Sequence, residues 1–123
     1  MEPTGEPGAT RVTYKMDDGV TLVGEAFGAA GAPPVILAHG GGQTRYAWSR
    51  VAQRLGDAGW QAVALDLRGH GESDWHEGGD YSIPRFGHDL DHVARQFGQK
   101  PVIVGASLGG NAGLLVAGQG ADA

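Results

Sequence analysis

Val102-Ile103-Val104-Gly105-Ala106-Ser107-Leu108-Gly109 is the stretch whose reading decides the fold. Val102–Val104 is a short apolar run of β-branched residues, the type found in strands buried on both faces of a parallel sheet. Leu108, Ala112, Leu115 and Val116 then recur at helical spacing. Between strand and helix lies G-x-S-x-G. A serine held on so sharp a turn leaves no room for bulky neighbours two positions away, and Gly105 and Gly109 remove that collision. The turn also sets Ser107 at the positive end of a helix, where an oxyanion is stabilised. With 23 Gly among 123 residues the pattern is weak by itself. Its weight comes from the strand before it and the helix after it.

Working back along the chain, two further apolar runs have the same character: Val35–Ala38, followed by His39-Gly40-Gly41-Gly42, and Ala62–Leu65, followed by Asp66-Leu67-Arg68-Gly69-His70-Gly71-Glu72-Ser73. Trp48, Val51, Ala52 and Leu55 lie at i, i+3, i+4 and i+7, a helix that Gly59 stops. Residues 67–82 are polar and Gly-rich, hence loop. Ser82 is a fair N-cap for a helix carrying Phe86, Leu90, Val93 and Phe97 on one face. Nearer the start, Val12, Tyr14 and Met16 alternate with polar neighbours, as do Val20, Leu22 and Ala26. Asp17-Asp18-Gly19 between them is a turn signal, so residues 11–27 read as a β-hairpin. Residues 1–10 have no periodicity and are expected to be a disordered tail. The order is a hairpin followed by β-α-β-α-β-α. That predicts an α/β fold: a mostly parallel sheet with helices on both faces and an N-terminal antiparallel hairpin, in one domain portion over 11–123.

Composition removes several functions. Nine Lys and Arg against fourteen Asp and Glu give a net charge of −5 with no basic run, so a phosphate footprint for nucleic acid is not expected. The absence of Cys excludes disulfides, thiolate zinc sites and cysteine nucleophiles. No apolar stretch approaches the roughly 18 residues of a membrane span. Met1–Glu6 has neither the positive nor the apolar region of a signal peptide, so a cytoplasmic protein without membrane partners is expected.

Together, the glycine loop after one strand, the D-x-R-G-x-G-x-S segment after the next and the serine elbow one β-α unit later resemble the α/β-hydrolase family. The resemblance covers roughly residues 11–118. It implies that Ser107 is the nucleophile, forming an acyl-enzyme with a small-molecule ester or related acyl substrate. The backbone N–H of Leu108 is implied as one oxyanion donor and that of Gly41 as the other, with Gly42 the alternative because of the extra glycine. His39 is implied to pack behind the elbow as a structural residue, and Asp66 and Arg68 to fix the turn after their strand. No cofactor and no metal are implied. Serine at the elbow, where epoxide hydrolases and haloalkane dehalogenases carry Asp, argues against those two activities.

The family's triad continues from the serine to an acid and then a histidine. After Ser107 there is one acid, Asp122, and no histidine; His39, His70, His76, His88 and His92 all precede it. The expectation is the N-terminal half of a hydrolase, with a non-catalytic, truncated or degenerate copy as the alternative. Residues 102–110 also resemble a flavin-type phosphate loop, but such a fingerprint opens a domain and wants an acidic residue about 20 positions on. His88 and His92 share a helix face, yet Leu90 marks the buried side, so both are expected to face solvent and not to bind metal. Trp48 and Trp60 are expected in the core.

Overall fold

The computed structural model describes residues 2–3, 9–75 and 79–105. Their elements are β1 (Glu2–Pro3), β2 (Ala9–Lys15), β3 (Thr21–Phe27), β4 (Pro34–Ala38), a 3-10 turn (Arg45–Trp48), α1 (Ser49–Asp57), β5 (Gln61–Leu65), α2 (Ile83–Ala94) and β6 (Val102–Gly105). One sheet contains all the strands, in the order β1-β2-β3-β5-β4-β6. β4 is parallel to both β5 and β6, while β2 and β3 form the antiparallel hairpin and β3 runs antiparallel to β5. The α/β architecture read from the sequence is the one observed.

The strand order explains why the sheet is covered on two sides. From β4 the chain steps one way to β5, then back past β4 to β6. Right-handed crossovers taken in opposite directions put their helices on opposite faces. Alternation within the buried runs serves both. Ile36, Ala38 and Leu65 join Met16, Leu22 and α2's Phe86, Leu90 and Val93 in one cluster. Val35, Leu37, Ala62 and Ala64 join Phe27 and α1's Ala52 in the other.

Several boundaries differ from expectation. β2 starts at Ala9, and Glu2 and Pro3 pair with Arg11 and Thr10, so part of the stretch read as a disordered tail is strand. Val51, placed by spacing on the buried face of its helix, is 43% exposed. Of α1's residues only Ala52 is fully buried, in a cluster with Phe27, Val35, Leu37, Ala62 and Ala64, while Trp48, Leu55 and Trp60 pack at its margin. α2 ends at Ala94, and Phe97 packs against the first cluster from the turn beyond it. Ser82 caps α2 as expected, accepting the Arg85 N–H at 3.3 Å. Among the described residues no helix is long and apolar enough to cross a membrane.

Candidate active site

Parallel pairing sets the framework. Ala38 stands opposite Leu65 on one side and Gly105 on the other, so the carboxyl ends of β5, β4 and β6 lie abreast. The segments that follow β4 and β5 therefore leave the sheet side by side, next to the end of β6 at Gly105 and at the end where open α/β sheets place their ligands.

After β4 comes His39, fully buried. Its Nε2 accepts the Leu67 N–H at 3.0 Å, which puts the ring proton on Nδ1, 2.7 Å from the Gly40 carbonyl it donates to. Burial pushes the pKa of His39 below the usual 6.5, and neighbouring His70 adds to this. The bond to Gly40 and the charge of Asp66 pull the other way and are outweighed. A neutral ring thus ties the exit of β4 to the exit of β5.

The glycine loop then makes a tight turn. The Gln43 N–H bonds to the Gly40 carbonyl at 3.1 Å, and the Gln43 side chain accepts the Gly40 N–H at 3.0 Å. Gly42, at the third position, has φ +78°, as a type II turn requires. Gly41 has no such φ, and a Cβ built on it meets nothing within 4 Å. The Gly42 N–H donates to His70 Nε2 at 3.2 Å. The N–H of Gly41 meets no acceptor among the described residues.

The segment after β5 is held by buried charges. Asp66 accepts the Arg45 N–H at 2.6 Å, the Glu72 N–H at 3.0 Å and the Arg45 guanidinium. A Cβ on Gly71 would sit 2.3 Å from the Asp66 carboxylate, and its φ is +53°, so glycine alone fits. Arg45, 2% exposed, also bonds Glu25 at 2.9 Å and reaches Glu72. Burial alone would favour loss of its proton, but these carboxylates reverse that and raise its pKa. Arg68 grips Asp89 at 2.5 and 3.0 Å and Asp18 of the hairpin turn at 2.8 Å. Ser73 accepts the Val23 N–H at 2.8 Å and donates to the Asp66 carbonyl at 2.6 Å. The polar side chains of Asp66, Arg68 and Ser73 are thus engaged in shaping the loop.

Sequence reasoning passed over Arg45, Glu25 and Asp89, which hold this scaffold together; nothing in their local pattern separates a buried paired charge from a solvated one. It also gave His70 no part. His88, 49% exposed, lies 3.3 Å from Asp17, and no cluster of metal-ligating side chains occurs among the described residues. Trp75 is 63% exposed. Ser107, Leu108, Gly109 and Asp122 lie outside the described residues. A groove of about 470 Å³ is lined by Val12, Tyr14, Val63, Phe97 and the first residues of β4 and β5. It lies at the opposite ends of the strands from the glycine loop.

A family model for the alpha/beta hydrolase fold matches residues 33–122. The chain belongs to the α/β-hydrolase family. It is 40% identical over 92 residues to Esterase Rv0045c of Mycobacterium tuberculosis, an alignment spanning 74% of this chain and 30% of that protein. To Epoxide hydrolase A of the same species it is 38% identical over 94 residues, spanning 75% of this chain and 29% of the other. Among solved structures, the thioesterase domain from the curacin biosynthetic pathway superposes with a TM-score of 0.81 at 29% identity, covering 89% of this chain and 39% of that one. An epoxide hydrolase from an endophytic Streptomyces gives 0.80 at 26% identity, covering 91% and 34%. The chain spans about a third of the length of the curated relatives it matches.

Proposed function

We propose that the protein is a serine hydrolase acting on a small ester or related acyl substrate. Ser107 attacks the substrate carbonyl, its hydroxyl proton passing to a general base, and the leaving alcohol, thiol or amine departs as the acyl-enzyme forms; water then releases the acid. The N–H of Gly41 and that of Leu108 stabilise the oxyanion of each tetrahedral intermediate. Ser107 stands where the family's epoxide hydrolases carry Asp, which supports the acyl reading over epoxide opening, although relatives of both kinds are found. In the family's chain order the acid and histidine come after the nucleophile. Since this chain covers about a third of its relatives, we place both in sequence beyond the 123 residues.

The observation that carries the reading is the state of the glycine loop. Gly42 is occupied by His70, Gly41 has its N–H and surrounding space free among the described residues, and the loop leaves the sheet beside the strand that ends at Gly105. A donor next to the serine turn is what acyl transfer needs. The test is reaction of the full-length protein with a fluorophosphonate probe and turnover of p-nitrophenyl esters, beside Ser107→Ala. Labelling and turnover that vanish in Ser107→Ala are expected. Equal labelling of both forms counts against the proposal. No turnover above the Ser107→Ala control favours instead a non-catalytic, degenerate copy.

A further inference from the structure

We infer that His70 is a positioning residue for the oxyanion loop: it ties down the Gly41–Gly42 peptide and so leaves Gly41 as the loop's one donor. The inference rests on the proposed acyl-transfer reading.

Two consecutive glycines offer two N–H groups, and a glycine pair turns over its central peptide with little resistance. Each of the two peptides involved is held by a different histidine. The Gly40–Gly41 peptide is fixed through its carbonyl, which accepts from His39 Nδ1 at 2.7 Å and from the Gln43 N–H at 3.1 Å. Because the peptide is trans, its N–H, that of Gly41, points the opposite way. The next peptide is fixed through its other end: the Gly42 N–H is taken by His70 Nε2 at 3.2 Å. Rotation of this peptide would break that bond, turn the Gly41 carbonyl toward His70 and swing the Gly42 N–H to the other side of the turn, so that the loop would no longer keep Gly41 as its one fixed donor.

His70 is built for the task. Its Nδ1 lies 3.0 Å from the Arg68 carbonyl, so the proton sits there and Nε2 presents a lone pair. Its backbone is locked on both sides, the N–H bonded to the Leu67 carbonyl and the carbonyl to the Ser73 N–H, each at 3.0 Å. The ring packs between His39, centroids 4.9 Å apart, and Phe86 at 6.4 Å. A side chain held this firmly on the segment after β5 can restrain a glycine loop that makes few contacts of its own.

The experiment compares full-length wild type with His70→Leu, which keeps bulk and loses the acceptor, and His70→Gln, whose amide oxygen reaches the place of Nε2. Gly42 amide exchange by NMR is expected to quicken at least tenfold in His70→Leu and to stay near wild type in His70→Gln. With p-nitrophenyl acetate, kcat is expected to fall about 10- to 100-fold in His70→Leu with KM within about twofold, and to recover to within about threefold in His70→Gln. Unchanged Gly42 exchange in His70→Leu, equal kcat losses in the two variants, or a change confined to KM would overturn the inference. Imidazole ¹⁵N shifts of the wild type need no variant: a proton on Nδ1 of His70 is expected, and one on Nε2 overturns the inference even if His70→Leu does not fold. If Ser107→Ala turns over ester as fast as wild type, the serine reading has failed, and the exchange result alone decides whether His70 holds the loop.

Discussion

The carboxylate of Asp66 receives both the backbone N–H of Arg45, at 2.6 Å, and the guanidinium of the same residue. One side chain thereby fixes where the 3-10 turn starts, and does so from the end of a strand 21 positions away in sequence. Arg45 extends the link to Glu25 on β3, so the hairpin, the turn before α1 and the exit of β5 share one buried cation.

Removing that cation leaves Glu25 and Asp66, 1% and 0% exposed, buried without the guanidinium that both of them bond. Arg45→Met is expected to cost about 3–5 kcal/mol in urea unfolding, the range for breaking a buried ion pair from one side. Arg45→Lys keeps the charge but not the planar fork and is expected to fall between the two. A loss below about 1 kcal/mol in Arg45→Met would show that the pocket admits water or solvates the carboxylates some other way.

Asp18 sets an acid limit. Its bonds with Arg68, and to a lesser degree with the Val20 N–H, hold its pKa at about 2, below the ordinary 3.8. A carboxylate lowered by folding stabilises above its unfolded pKa, and that contribution disappears as pH falls through the folded value. Stability should therefore decline between about pH 4 and 2, and Asp18→Asn should flatten this part of the profile. The carboxylate is 36% exposed, so the step should be shallow. An unchanged slope in Asp18→Asn would assign the acid limb to other groups.

His39 acts in a milder range. Folding lowers its pKa below 6.5, so below that pH the unfolded chain binds the extra proton and stability falls with acidification. Protonation would also remove the acceptor that Nε2 offers Leu67. Unfolding free energy measured from about pH 7.5 to 5.5 should drop in wild type. In His39→Gln the curve should be flatter, at a lower plateau. Parallel curves for the two proteins would rule His39 out as the source.

Gly41 and Gly42 separate function from backbone. Gly41→Ala meets nothing within 4 Å, so stability should stay within about 0.5 kcal/mol. On the proposed acyl-transfer reading, ester turnover should nevertheless drop by at least about tenfold, because the new methyl group crowds the proposed donor. Gly42→Ala forces a side chain onto φ +78° and should cost about 1–2 kcal/mol, read as an earlier thermal midpoint. Full ester turnover in Gly41→Ala would move the oxyanion role elsewhere.

Most of the fold was legible in the residues. Val35–Ala38 and Ala62–Leu65 are apolar at every position, and only strands covered on both faces need that. Asp17-Asp18-Gly19 and Ser82 marked a turn and a cap by local chemistry, and both are where they were expected. The misplacement of Val51 shows the limit of spacing: periodicity says which residues share a stripe, not how wide a stripe the neighbouring sheet will cover. The charges around Arg45 were out of reach for another reason. Glu25, Arg45 and Asp66 meet only when β3, the turn and β5 are assembled, and a one-dimensional pattern carries no trace of that. His70 lies within the segment after β5, but its bond to the Gly42 N–H on another loop exists only in three dimensions.

Ala38 and Gly105 are partners in the parallel ladder between β4 and β6. The spacing between the root of the glycine loop and the end of β6 is therefore written in main-chain hydrogen bonds, whose dimensions are the same for every residue type. A change of side chain elsewhere on the surface leaves these two main-chain positions where the ladder holds them.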